Sequence, residues 1–177
     1  AHQPHLKTFR DGWRTLSFFL MCSPRWLYLL PGVGLILMGS VGYSLALPGV
    51  RIGNAVLDAH TLLFASLAVL MGYQAVLFAV FAKTFAISEG ILPPDQSFRR
   101  AFRLVNLEVG LAAGCLALAF GLALLGTAVF MWWEVGFGRL DYASTMRVVV
   151  PGVMLASIGF QTIWAAFFVA ILRMRRR

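Results

Sequence analysis

The chain has 177 residues, of which 60% are hydrophobic and only 12% charged, and its mean hydropathy is +0.81. A water-soluble domain carries about 25% charged residues, so this composition excludes one and marks an integral membrane protein. The formal charge of +8 sits in short clusters between long apolar runs, which directs it at anionic lipid head groups rather than at nucleic acid.

Residues 1–5 read as a polar, proline-containing linker. With no initiator methionine and no signal peptide, Ala1 reads as a cut end with a soluble portion expected before it. His2, His5 and His60 lack the clustered spacing of metal ligands, and no metal site is expected. From Leu6 to Trp26 the chain changes solvent. At about 100° per residue, Phe9, Trp13, Leu16 and Leu20 share one helical face, and Lys7, Arg10, Arg14 and Ser17 lie opposite. This is the pattern of a helix lying in a membrane interface. Ser23 and Pro24 end it, because proline lacks a backbone donor and clashes with the preceding turn. Residues 1–25 are thus expected to be a juxtamembrane linker and interfacial helix, and 26–177 a membrane domain.

Four apolar runs follow at about 26–47, 61–82, 109–133 and 148–172, each near the roughly 20 residues a spanning helix needs. Backbone polar groups in lipid must be satisfied internally, so the fold class is all-α: a four-helix integral membrane domain of two helical hairpins. Twelve basic residues lie before the first run, between the second and third, or after the fourth, against Arg51, Arg139 and Arg147 in the other two loops. The positive-inside rule then puts both termini of this multi-pass protein in the cytoplasm.

The loop from Lys83 to Glu108 is expected to hold a second interfacial helix. Gly90, Pro93 and Pro94 stop the second span, and Asp95 or Ser97 can cap a new helix near 97–105. There Phe98, Phe102 and Val105 oppose Arg99, Arg100 and Arg103. The two basic helices would form a positive platform along one leaflet. Simple anchoring explains such a platform. The sharper reading is that Arg10, Arg14, Arg25, Lys83, Arg99 and Arg103 supply the converging cations that a lipid phosphate requires.

A weak internal repeat runs through the chain. Gly72-Tyr73-Gln74 in the second span echoes Gly159-Phe160-Gln161 in the fourth, and Leu57-Asp58 echoes Leu140-Asp141. Two parallel hairpins related by an axis along the membrane normal would follow. Gln74 and Gln161 are the most polar side chains deep in the spans. They read either as interhelical hydrogen-bonding residues or as the lining of a groove for a lipid. Glycines at 32, 34, 39 and 42, and at 110, 114, 121 and 126, permit close helix approach. Cys22 and Cys115 read as small apolar residues rather than as a disulfide.

No nucleophile elbow, phosphate-binding loop or metal-binding carboxylate pair is present, so no catalytic residue is assigned. The opening HLKTFRDGWRTLSFFLMCSPRWLYLLPG, the run DAHTLLFASLAVLMGYQAVLFAVFAK with FAISEGILPP, and the closing GFQTIWAAFFVAIL resemble the C-terminal membrane region of bacterial family 2 glycosyltransferases. The type resembled is the polyprenyl-phosphate type similar to dolichol-phosphate mannose or glucose synthases. The resemblance covers nearly the whole chain and is most specific at Phe9 to Arg14 and Ser23 to Trp26. It implies an N-terminal catalytic domain that transfers a sugar from a nucleotide donor to polyprenyl phosphate, with its divalent metal in that domain and no cofactor in this chain. It further implies a homo-oligomer formed through the spans. A small transporter or flippase-like protein, and a structural subunit of a larger membrane complex, remain the alternative readings.

Overall fold

The computed structural model describes residues 12–13, 25–52, 55–92 and 107–174. A π-helical turn, Arg25–Leu29, leads into α1 (Leu30–Ala46). A two-residue ribbon follows, β1 (Arg51–Ile52) pairing antiparallel with β2 (Ala55–Val56). Then come α2 (Ala59–Ser88), α3 (Leu107–Glu134) and α4 (Tyr142–Met174). Among the described residues, four helices are long and apolar enough to cross a membrane. The expected interfacial helix near 97–105 lies outside the described residues, as does that beginning at Leu6 apart from the helical pair Gly12–Trp13.

The helices run beyond the apolar stretches. The second continues past residue 82 to Ser88, beside the Gly90 expected to stop it, and so contains Lys83. The fourth begins at Tyr142 rather than 148 and contains Arg147. The physical reason is that hydropathy locates the change of solvent, whereas capping groups locate the end of a helix. At the end of α2, Ile91 N–H donates to Ala86 O and Gly90 N–H to Ile87 O, the paired bonds of a Schellman cap. The same pair ends α1, with Val50 on Leu45 O and Gly49 on Ala46 O, and Gly49 takes the φ of +69° that the motif demands. At the start of α4 the backbone N–H of Ser144 donates to Asp141 Oδ2 at 2.9 Å, an N-cap. This bond and the Ser144 hydroxyl, aided by the Arg147 charge, hold the Asp141 carboxyl below its ordinary value. Asp58 occupies the matching position before α2 without a side-chain cap bond, so the Leu-Asp pairs of the repeat mark two helix starts.

In lipid no hydrophobic force pulls apolar helices together, so association depends on close packing between small residues. Gly32, Gly39 and Ala46 are the buried residues of α1, and Gly114, Gly121 and Ala128 those of α3. Facing them, Ala65, Gly72 and Ala79 are buried on α2, and Gly152, Gly159 and Ala166 on α4. Each triplet has a seven-residue step, two helical turns, and so makes one stripe. Close glycine-to-glycine approaches correspond as well. A methyl placed on Gly72 would meet Gly32 O at 2.5 Å, and one on Gly159 would meet Gly114 O at 2.7 Å. The glycine repeat is therefore a packing repeat, with two like-built hairpins, α1–α2 and α3–α4.

The hairpins join along α2 and α4. Arg147 Nη2 lies 3.3 Å from Asp58 Oδ1 at one end, Tyr73 meets Thr162 in the middle, and the rings of Phe81 and Phe168 stack edge-on at 4.9 Å towards the other. These pairs fall in the same order along both helices, so α2 and α4 run parallel. Around the bundle, Phe64, Leu116 and Trp26 are more than 70% exposed, which is the apolar girdle a bilayer covers.

Candidate functional site

A largely apolar cleft of about 410 Å³, with two amides in its lining, lies where three helical segments meet. Tyr28 comes from the π-helical turn, and Leu70, Met71, Gln74, Ala75 and Phe78 form one face of α2. Gln161 reaches in from α4. The wide turn precedes Pro31, which has no N–H to close an ordinary helical bond onto the residue four before it. This places the Tyr28 ring 6.1 Å from that of Phe78.

The two glutamines predicted as deep polar residues thus line one cleft, although they stand 87 positions apart in the chain. Beside them, the Thr162 hydroxyl donates to Ile158 O. The Tyr73 hydroxyl is therefore the donor in its 2.6 Å bond to Thr162 Oγ1, and this bond fixes the spacing of α2 and α4 at the level of the amides. Gln161 Oε1 is buried and has no hydrogen-bond partner among the described residues. Such an acceptor costs on the order of 1–3 kcal/mol. Gln74 lies near the middle of the 30-residue α2, so the amides sit close to mid-membrane.

Among the expected phosphate-binding residues, Arg10, Arg14, Arg99 and Arg103 lie outside the described residues, and Arg25 opens the π-helical turn. Lys83 is half-buried on α2, nine residues beyond Gln74, or about 13.5 Å along the helix. The start of α1, the end of α2, the start of α3 and the end of α4 share one end of the bundle. These are the ends that lead into the segments carrying twelve of the fifteen basic residues. The cleft lies in the half of the bundle towards that end, since Tyr28 and Phe78 face each other there.

Tyr28 and the Tyr73–Thr162 bond were not singled out from the sequence. Their only signal is adjacency, since Tyr73 and Thr162 each border a glutamine. Arg147, counted as a loop charge, instead ties the hairpins together. No three of the described His, Cys, Asp and Glu residues converge.

Residues 80–173 match the family model described as the glycosyltransferase family 2 C-terminal transmembrane region. The chain is also 32% identical over 171 residues to the low-salt glycan biosynthesis hexosyltransferase Agl6 of Haloferax volcanii. That alignment takes in 96% of this chain and 40% of the relative, so the chain spans well under half of the length of the curated protein it matches. No solved structure matches the chain.

Proposed function

Because the chain belongs to the family 2 glycosyltransferases, as their C-terminal transmembrane region, we propose that it anchors a catalytic domain and presents polyprenyl phosphate to it as the sugar acceptor. The sugar comes from a nucleotide donor bound by that domain, where any divalent metal also resides. A hexose fits the relative's name as a hexosyltransferase. The reaction takes place at the cytoplasmic face of the cytoplasmic membrane, with both termini of this region on that side.

One observation carries this reading. The four helix ends that open onto the basic segments gather at one end of the bundle, and a cleft open to lipid lies in the same half. A phosphate monoester on a long hydrocarbon chain has the charge for the first and the greasy length for the second. Arg10, Arg14, Arg25, Lys83, Arg99 and Arg103 are the proposed phosphate partners.

The test compares two lipids in vesicles holding the full-length polypeptide. Replacing Arg10 and Arg14 together by glutamine weakens binding of polyprenyl phosphate more than binding of phosphatidylglycerol. Equal losses would reduce the basic segments to generic anchors and refute acceptor presentation through them.

A further inference from the structure

We propose that the cleft between the two hairpins holds the hydrocarbon chain of the acceptor lipid, with Gln74 and Gln161 preventing the hairpins from closing over it. This deepens the acceptor-presenting reading and rests on it.

The amides are the first reason. Both occupy the same place in the packing repeat, two residues after a seam glycine, Gly72 or Gly159. The other buried positions of α2 and α4 hold small or apolar residues, or hydroxyls whose hydrogen bonds are made, as Ser66 to Leu62 O, Thr84 to Val80 O and Thr145 to Asp141 O, and these let the helices touch. Two amides at mid-membrane, one with a buried and unpartnered oxygen, violate that rule. Local rules broken at a stability cost concentrate at functional sites. Leucine in their place would satisfy lipid and let the wall fill in.

Position is the second reason. Phe78, at the lower edge of the cleft, is five residues from Lys83, about 7.5 Å along α2. A lipid whose phosphate rests among the cations at that end therefore lays its first stretch of chain against Tyr28, Phe78 and Met71.

The third reason is where polarity stops. Beyond the amides, the same face of α2 continues as the exposed Leu67, Phe64 and Leu63. A head group travelling past Gln74 would meet only hydrocarbon, so the cleft suits a chain and offers no path across the bilayer for a phosphate or sugar.

The experiment uses the full-length polypeptide in liposomes and two acceptors, a long polyprenyl phosphate and a five-carbon prenyl phosphate too short to reach Gln74. Met71, 55% exposed on the cleft wall, is replaced by tryptophan to fill the space. The expected result is a KM for the long acceptor raised about tenfold with kcat unchanged, and no change for the short one. A long acceptor carrying a diazirine in its second or third prenyl unit should crosslink to residues 70–78 or to Gln161 in the unaltered protein, and unlabelled long lipid should compete. If both acceptors are used but Met71→Trp leaves the long-chain KM unchanged and the crosslinks fall elsewhere, the cleft assignment alone is overturned. If neither prenyl phosphate is bound or glycosylated, the acceptor reading falls and takes this inference with it.

Discussion

Glycine at the seams should be the residue this bundle tolerates changing least, and the glycines off the seams provide the control. In Gly72→Ala the new methyl would stand 2.5 Å from Gly32 O and 2.9 Å from Ile36 N, where ordinary contact begins near 3.4 Å. Neither neighbour is a flexible side-chain end, so α1 and α2 must part by about 1 Å. A gap of that size forfeits a quarter to a half of the dispersion energy of each contact it opens. Overpacking of this kind costs about 1–3 kcal/mol. The repeat predicts the same for Gly159→Ala in the other hairpin, whose methyl meets Gly114 O at 2.7 Å. A methyl on Gly34 or Gly126 meets nothing within 4 Å. There alanine should be neutral or stabilising by up to about 1 kcal/mol, because it favours the helix. Reversible unfolding in mixed micelles, followed by far-ultraviolet circular dichroism, measures all four. Equal effects at seam and off-seam positions, or a large effect in one hairpin and none in the other, would refute the seam assignment.

The Asp58–Arg147 pair is about one-third exposed on both sides. A double-mutant cycle with Asp58→Asn and Arg147→Gln should therefore give a coupling of only about 0.5–1 kcal/mol; a value several times larger would mean a desolvated pair. The Asp141 carboxyl is held low in the folded protein, so its contribution is present above the unfolded value of about 3.9 and is lost as pH falls through the folded one. The stability difference between the native protein and Asp141→Ala should stay constant near neutral pH and shrink in acid, and a difference that grew on acidification would contradict the cap. Cysteines at Arg51 and Arg99 should react with an impermeant reagent from opposite sides of sealed vesicles; labelling from one side would end the four-span arrangement.

Much of the bundle was legible because lipid imposes so few solutions. Four apolar runs became four helices, and the echo of Gly72-Tyr73-Gln74 in Gly159-Phe160-Gln161 became two hairpins with matching seams. The helix ends were less legible. The second helix ends beside the Gly90 expected to stop it, but the fourth starts at the Asp141 cap and not at the first apolar residue, which puts Arg147 inside α4. The cleft was legible only as one of two readings of its glutamines, groove lining beside interhelical hydrogen bonding. Gln74 and Gln161 were visible as polar residues at depth, but their meeting depends on which faces of α2 and α4 turn together, and Tyr28 joins them only through the wide turn before Pro31.

Each hairpin is closed on itself by its own glycine seam, and the two meet mainly along α2 and α4. During synthesis the first pair of helices has all its tightest partners before the second pair has left the ribosome. A chain cut between Leu92 and Leu107 should accordingly yield two halves that insert separately and reassemble from co-expressed genes, with Tyr73 finding Thr162 as the joining step.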